Sequence, residues 1–231
     1  MSMEKLSVPI AIVISGALIA GALYYSNLKQ PTKVVNNTPP TVNTNFSSMR
    51  PVSADDHILG NPNASLVIVE YSDSECPFCK TFHTTLRRVI SEYGKDGKVA
   101  WVYRHFPIDQ LHSKARKEAE AMECANELGG NAKFWEYTNT LYDKTNSNNS
   151  LDPLELPKIA KTVGLNVSDF ETCLSSGKYA EKVEADYQDA VKAGGRGTPN
   201  SIILSKDGVR TPIEGAMPYD SLKTIIDELL K

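Results

Sequence analysis

Two cysteines three positions apart, Cys76 and Cys79, have the spacing in this chain that best suits chemistry. They enclose Pro77 and Phe78, follow the apolar run at 66–69 and precede a segment with a helical pattern. Free backbone N–H groups and the helix dipole at a helix N-terminus favour the thiolate, which is the species that attacks disulfides. We therefore predict that Cys76 is the nucleophile and that Cys79, about one turn later, is the resolving thiol. Pro77 fits the first turn of a helix, where a missing N–H removes no intrahelical hydrogen bond.

A cysteine pair of this kind has two other interpretations, which are half of a zinc site and a chance pair in a core. A zinc site needs a second pair of ligands at short spacing, whereas Cys124 and Cys173 are remote single residues and His83 has no spaced partner. His105 and His112 are interpreted as capping or surface residues, with a place on the active face as the alternative. The position of the pair between a strand and a helix favours redox chemistry. The sequence therefore predicts neither a metal site nor another cofactor.

The composition is that of a globular protein with an ordinary core. The 231 residues are 41% hydrophobic, carry a formal net charge of −3 and have a pI near 5.9. A chain without a basic surface is not expected to bind nucleic acid. Four cysteines are too few for a disulfide scaffold, but an even number is compatible with two bridges in an oxidising compartment.

The first 50 residues differ in character from the rest. After a short flank at 1–5, residues 6–25 form an uncharged, mainly apolar run that is long enough to span a bilayer. A cleaved signal peptide is the alternative, but the run exceeds the ~7–15 residues of a typical signal core, so we favour an uncleaved anchor. Residues 26–50 are rich in Asn, Thr, Pro and Ser, which predicts a flexible linker. The charges beside the apolar run do not fix its orientation.

The remaining residues, 51–231, are predicted to form one α/β domain. A strand at 66–71, a helix ending near Tyr93 and a strand at 99–105 make a parallel pair with a right-handed crossover. Helical patterns recur from about 113 to 193, which predicts a helical insert, and strand patterns return after it. The predicted insert helices are 113–128, 132–142, 153–163, 168–174 and 178–193, followed by strands at 201–204 and 209–213 and a helix at 219–230. Turn residues dominate 55–62, where no strand is predicted.

Glu70 stands six residues before Cys76, at the end of an otherwise apolar run. A carboxylate that faces a core has a raised pKa, and such a group can exchange a proton with Cys79. The alternative is a glutamate on an edge strand that points to solvent, since glutamate is seldom fully buried.

Thr198-Pro199 precedes the predicted strand at 201–204. An X-Pro bond is the usual place for a cis peptide, and proline at the entry to a strand removes one donor without disrupting the ladder. The backbone edge there is a candidate surface for pairing with a substrate chain that is held as a mixed disulfide.

Four motifs, taken in this order, resemble the DsbA-like branch of the thioredoxin superfamily. They lie at 69–73, 76–79, 103–107 and 197–199, with the sequences Val-Glu-Tyr-Ser-Asp, Cys-Pro-Phe-Cys, Tyr-Arg-His-Phe-Pro and Gly-Thr-Pro. The resemblance covers about 51–231. It implies an α/β thioredoxin fold with an inserted helical domain, preceded here by the predicted transmembrane helix, and thiol-disulfide oxidoreductase activity.

The resemblance also implies roles for individual residues. Cys76 matches the attacking cysteine of the family, Cys79 its resolving cysteine, Glu70 its buried acid and Pro199 its cis-proline. The substrate-binding residues expected beside them are Thr198, Pro77 and Phe78. Phe78 departs from the histidine that the best-known strongly oxidising member has before its second cysteine. Because phenylalanine brings no positive charge to the thiolate, this difference argues against strong oxidising power.

Cys124 and Cys173 fall in two different predicted helices of the insert. A structural disulfide between them, worth roughly 3–5 kcal/mol in the chain-entropy picture, is the interpretation that we favour. The alternative is two buried free cysteines that act as small apolar residues.

The function that follows is that of a membrane-tethered oxidoreductase with an extracytoplasmic catalytic domain. We expect it to act as a monomer that forms disulfides in exported proteins with thiols and is reoxidised by a membrane redox partner. The same chemistry run in the other direction, as a reductase or isomerase, is the first alternative, because no motif fixes the redox poise. A binding module without turnover is the second, although a pure binder has no need of two cysteines and a buried acid.

Overall fold

The computed structural model describes residues 48–231, which form a five-stranded sheet with helices on both faces. The order of the strands across the sheet is β1-β3-β2-β4-β5. The strands are β1 (His57–Leu59), β2 (Leu66–Ser72), β3 (Val99–His105), β4 (Asn200–Ser205) and β5 (Arg210–Glu214). The helices are α1 (Pro77–Val89), α2 (Ala115–Lys144), α3 (Glu155–Thr162), α4 (Val167–Ser176), α5 (Ala180–Lys192) and α6 (Tyr219–Leu229), and a π-helical turn (Ile90–Gly94) extends α1.

The centre of the sheet is the predicted parallel pair. β2 runs parallel to β3, from Leu66 beside Val99 to Ser72 beside His105, and its other edge pairs antiparallel with β4. Both central strands are covered by helices, so nearly every residue in them is buried. This burial on both faces explains why the two strands appear in the sequence as almost continuous apolar runs.

β1 is the element that the sequence does not predict. Its three residues lie in the segment 55–62, which is rich in turn residues, and they pair antiparallel with β3. Three residues are too few for a period-2 pattern to emerge, and the pairing partner is more than 40 positions away. The strand therefore depends on tertiary contacts.

The helical insert extends from the start of α2 to the end of α5. The two helices predicted at 113–128 and 132–142 form α2, which is interrupted at Gly130, where φ is 72° and ψ is −174°. Cys124 on α2 and Cys173 on α4 are joined by a disulfide, with their Cα atoms 5.9 Å apart. The bridge ties together two helices that lie 49 positions apart along the chain.

Two apolar cores lie on opposite faces of the sheet. The larger contains Trp101 of β3 and Phe134 of α2, and the smaller contains Tyr71, Ile202 and Met49. Met49 lies in the segment expected to be a linker, yet it is only 5% exposed. The packed part of the chain thus includes residues before position 51.

None of the helices in the range 48–231 is long and apolar enough to cross a membrane. The flank predicted at 1–5, the anchor predicted at 6–25 and most of the linker predicted at 26–50 lie outside the described residues.

Candidate active site

The two cysteines of the Cys-x-x-Cys pair lie at the start of α1, just after the short loop that connects it to β2. Cys76 occupies the N-cap position of α1, and Pro77 opens the helix. Both cysteines are buried free thiols. The Cys76 sulfur lies 3.5 Å from the carbonyl oxygen of Thr198, and the backbone N–H of Asp73 donates to the Cys79 sulfur over 3.4 Å. The structure therefore brings the pair to the start of the helix, against the loop that contains Thr198.

The environment of Cys76 stabilises its thiolate. Donation from the Cys79 thiol lowers the pKa of Cys76 to about 6, against the opposing effect of burial. The Thr198 side chain and the backbone N–H groups of Cys79 and Phe78 lower this pKa further in the same direction. Cys76 is therefore a thiolate at neutral pH, as a nucleophile and a leaving group should be.

The environment of Cys79 has the opposite effect. Burial raises the pKa of the Cys79 thiol well above its usual value, and the neighbouring Cys76 and Glu70 raise it further. Cys79 therefore holds its proton while Cys76 is ionised. The two thiols, three positions apart, differ because one lies among hydrogen-bond donors and the other lies inside the core.

Glu70 lies fully inside the protein, so the interpretation of a solvent-facing glutamate on an edge strand is wrong. Burial raises the pKa of Glu70 to about 8, although hydrogen bonds from Ser72 and Trp101 act in the opposite direction. The Ser72 hydroxyl donates to Glu70 Oε1 over 2.8 Å, and the Trp101 ring N–H donates to Oε2 over 3.0 Å. Glu70 is therefore a protonated acid at neutral pH that can release its proton when its surroundings change.

Ser72 connects this acid to the resolving thiol. Besides its bond to Glu70, the Ser72 hydroxyl interacts with Cys79, where a hydrogen bond favours the thiolate. The Tyr142 hydroxyl lies 3.0 Å from that of Ser72 and 3.1 Å from that of Tyr103. The site thus contains a continuous row of hydroxyl groups from the insert to the buried acid.

The sequence motifs predict neither Ser72 nor Tyr142 as a site residue. Ser72 was detectable, because it stands two positions after Glu70 on a strand and so shares its face of the sheet. Tyr142 was not, because it belongs to α2 and is separated from Ser72 by 70 positions. Trp101 of β3 is buried in the core and also donates to the Glu70 carboxyl.

The expected substrate-binding residues surround the opening of the site. Thr198-Pro199 is a cis peptide, with Pro199 buried at the entry to β4. Pro77 is exposed. Phe78 is 65% exposed, and it is the only large apolar side chain of α1 that is exposed to solvent. A cleft of about 530 Å³ lies along the outer face of α1, lined by residues that include Pro77, Lys80 and Asn146.

Two other expectations concerned histidines. His105 and His112 are both buried, so the surface role is wrong for both. His112 Nδ1 lies 2.9 Å from Asp73 Oδ2, which supports the loop before Cys76. His105 contacts Glu123, away from the residues that bond the two thiols.

Comparisons with known proteins agree with this fold. The thioredoxin family model matches residues 53–228. DsbA2 of Pseudomonas aeruginosa superposes with a TM-score of 0.63 at 27% identity, over 78% of this chain and 97% of that one. Alpha-DsbA1 of Wolbachia pipientis superposes with a TM-score of 0.68 at 24% identity, over 80% of this chain and 95% of that one.

A different kind of relative appears among curated sequences. The Na(+)/H(+) antiporter NhaA 1 of Mycolicibacterium vanbaalenii is 33% identical over 165 residues, which is 70% of this chain but 25% of the antiporter. The chain spans no more than 30% of the length of these antiporter relatives. The similarity is therefore to one part of those proteins.

The family match over most of the chain, together with the dithiol at the start of α1, defines the class. The chain belongs to the thioredoxin family. Its inserted helices and its likeness to DsbA structures give it a DsbA-like fold.

Proposed function

We propose that this protein forms disulfides in exported proteins, using the Cys76-Cys79 disulfide as the oxidant. The observation that carries the proposal is the asymmetry of the two thiols. The pKa of Cys76 is lowered to about 6, whereas that of Cys79 is raised well above its usual value. A stabilised Cys76 thiolate stabilises the reduced form of the pair, which makes the disulfide the form that gives up its oxidising equivalents.

In the first step a client thiolate attacks the Cys76 sulfur of the disulfide. The bond between Cys76 and Cys79 breaks, a mixed disulfide forms between Cys76 and the client, and Cys79 leaves as a thiolate. Because the pKa of Cys79 is high, this thiolate takes up a proton. Glu70, which is protonated below about pH 8, supplies it through the Ser72 hydroxyl.

In the second step another client thiolate attacks the client sulfur of the mixed disulfide. The client gains its disulfide, and Cys76 leaves as a thiolate, which a leaving group of low pKa does readily. Two electrons pass from the client thiols to the enzyme pair. A membrane redox partner then accepts these two electrons and restores the Cys76-Cys79 disulfide.

The client chain binds at the surface around Cys76. The exposed ring of Phe78 offers an apolar contact, and the loop at Thr198-Pro199 offers backbone groups beside the Cys76 sulfur. The cleft along α1 extends this surface. None of these features selects a particular side chain, which suits an enzyme that acts on many unfolded clients.

The oxidising power that we propose is moderate. Thiolates of this motif have pKa values from about 3.5 to about 7.5, and Cys76 at about 6 lies in the upper half of that range. Phe78 agrees with this position, because it adds no positive charge next to the thiolate.

The apolar run at 6–25 tethers the domain to a membrane in this proposal, and the linker that follows holds it on the extracytoplasmic side. An impermeant thiol reagent applied to intact cells after reduction should label the protein. Protection of Cys76 and Cys79 in intact cells, but not in lysed cells, would contradict the location.

The test of direction is a redox equilibrium of the full chain with glutathione. We expect a reduction potential clearly above that of cytosolic reductants; a value near theirs would make the protein a reductase. Cys79→Ser tests the order of attack, because Cys79 can then no longer attack a mixed disulfide between Cys76 and a client sulfur and release the client. Clients should accumulate on this variant, and their absence would contradict Cys76 as the attacking residue.

A further inference from the structure

Two histidines and a glutamate form a buried cluster that the oxidoreductase mechanism does not use. His57 of β1 and His105 at the end of β3 both direct Nε2 at the carboxylate of Glu123 on α2. The distances from Nε2 to Glu123 Oε1 are 2.8 Å for His57 and 2.9 Å for His105. One donor atom from each residue lies within 4.8 Å of the other two. The cluster thus joins an edge strand, a central strand and the insert.

The second carboxylate oxygen of Glu123 is not accounted for by these contacts. Oε2 is buried and has no hydrogen-bond partner among residues 48–231. A buried carboxylate oxygen that has lost water and gained no partner costs free energy. A cavity of about 380 Å³ borders His57 and Glu123, and Asn126 and Asn131 also line it. The glutamate with the unpartnered oxygen therefore borders a space with polar walls.

The donor chemistry of the cluster is that of a metal site. Two imidazole nitrogens and one carboxylate oxygen form the ligand set of open zinc sites, in which the fourth position is left to water. A bound cation would also pair with Glu123 Oε2, which has no hydrogen-bond partner among residues 48–231.

We propose that His57, His105 and Glu123 bind one zinc ion, with the fourth position open to the cavity. The sequence predicts no metal site, because it has no set of ligands at short spacing. These three ligands come from three separate elements, and the nearest two in sequence are 18 positions apart. The ion clamps the short edge strand β1 to α2.

Lys182 provides a sharp test, because it competes with a cation. Its ammonium lies 3.6 Å from Glu123 Oε1, and its side chain is 29% exposed, so it can turn towards solvent when zinc binds. Removing this charge should strengthen zinc binding. If the cluster is only a set of hydrogen bonds that pins β1 to α2, removing Lys182 will not produce zinc binding.

The experiment uses the full chain in detergent, stripped with EDTA and oxidised so that Cys76 and Cys79 cannot bind metal. Zinc content, zinc affinity by calorimetry and the Tm with and without added Zn²⁺ are measured for wild type, Glu123→Gln and Lys182→Met. Glu127→Gln is the matched control, because it makes the same change one turn further along α2, outside the cluster.

We expect one zinc per chain and a Tm that rises with Zn²⁺ in the wild type and in the Glu127→Gln control. Because even second-sphere changes cost ~10–100-fold in metal affinity, Glu123→Gln should lose about 100-fold or more. Lys182→Met should bind about tenfold more tightly, as expected for loss of a close like charge. Bound Co²⁺ should give a spectrum without a sulfur charge-transfer band.

The proposal is overturned if the oxidised chain retains no zinc, or if Glu123→Gln binds as tightly as the wild type. It is also overturned if Lys182→Met binds no better than wild type, or if Co²⁺ shows sulfur ligation. Should Glu123→Gln fail to fold, the Lys182→Met result and the cobalt spectrum still decide.

Discussion

The two cysteine pairs of this protein have opposite chemistry, although all four residues are buried. Cys76 and Cys79 are free thiols three positions apart at the start of α1. Cys124 and Cys173 are 49 positions apart and form a closed bridge between two helices of the insert. The first pair sits among donors that stabilise a thiolate, whereas the second joins two segments that would otherwise be free to separate.

Two buried carboxylates show the same contrast. Glu70 and Glu123 are both fully buried. The pKa of Glu70 is raised to about 8, because burial outweighs its two hydrogen bonds from a hydroxyl and an indole N–H. The pKa of Glu123 is lowered despite burial, because two histidines donate to it. Burial alone therefore does not set the reactivity of a thiol or the charge of a carboxylate; the partners do.

The largest effect that separates the two cysteine pairs should be on activity. Cys76→Ser removes the attacking sulfur, and loss of a nucleophile of this kind should reduce client oxidation by about 1,000-fold or more. The double variant Cys124→Ala/Cys173→Ala should retain most of the wild-type rate, because neither residue contacts the dithiol site. Oxidation of a reduced model client, followed by its regained activity, measures both.

Comparable losses of activity in Cys76→Ser and in the double variant would contradict a catalytic role for the first pair and a purely structural role for the second. To separate inactivity from misfolding, circular dichroism at the assay temperature should show both variants folded.

The next effect concerns stability, where the Cys124-Cys173 pair should matter more than the Cys76-Cys79 pair. Opening a bridge that closes a loop of 49 positions should cost about 4 kcal/mol in the chain-entropy picture. Cys124→Ala/Cys173→Ala should therefore show this loss in the free energy of unfolding, measured with urea under oxidising conditions. Cys76→Ser, compared with reduced wild type, should change the unfolding free energy much less. A double variant as stable as wild type would mean that the bridge contributes nothing beyond packing.

Only part of the fold and of the candidate site could be predicted from the sequence. Cys76, Cys79 and Glu70 could be predicted from the sequence because they lie in one short segment, and a sequence pattern records local spacing. The parallel pair β2 and β3 could also be predicted from a local pattern, since burial on both faces leaves uninterrupted apolar runs. β1 could not be predicted, because its three residues acquire a strand conformation only by pairing with β3.

The unpredicted part of the site is the part built by distant residues. Tyr142 reaches Ser72 from α2, across 70 positions. Thr198 was expected beside the cysteines, but its contact with Cys76, across 122 positions, comes from the tertiary structure. The pKa values of the thiols and of Glu70 depend on such contacts and on burial depth. These properties come from tertiary structure and leave no periodic signal in the chain.

A smaller effect should separate the two buried carboxylates. Glu70→Gln keeps the shape of the buried acid but removes its proton, so release of Cys79 should slow by about 100-fold, the lower range for general acid catalysis. In the wild type the rate of this step should fall as pH rises through about 8, because Glu70 loses its proton there. Stopped-flow fluorescence of client oxidation across pH 6–10 measures both effects.

The variant should lose this inflection, whereas Glu214→Gln, an exposed glutamate in the same sheet, should retain it. A rate that stays constant through pH 8 in the wild type would mean that Cys79 receives its proton from another donor.

Glu70 also has a stability effect of predictable sign. Its pKa is raised in the folded state, so the folded protein binds this proton more tightly than the unfolded chain does. The stabilisation is complete below the ordinary glutamate pKa near 4.5 and is lost as pH rises through that value towards about 8. Urea unfolding of wild type minus Glu70→Gln should therefore show stability declining over this window, and an increase with pH would contradict the buried, protonated state.

The smallest effect concerns residue 78 and the thiolate beside it. The ultraviolet absorbance of the Cys76 thiolate in reduced wild type should titrate with a midpoint at pH about 6. Phe78→His places a titratable cation next to the thiolate and should lower that midpoint by about one pH unit, the low end for an adjacent opposite charge. Phe78→Leu, which changes the size of the side chain without adding charge, should leave the midpoint near that of wild type. If Phe78→His also raises the reduction potential, the charge at this position tunes the oxidising power. An unchanged midpoint would instead mean that Cys79, Thr198 and the backbone donors already determine the thiolate on their own, since Phe78 points 65% of its surface to solvent.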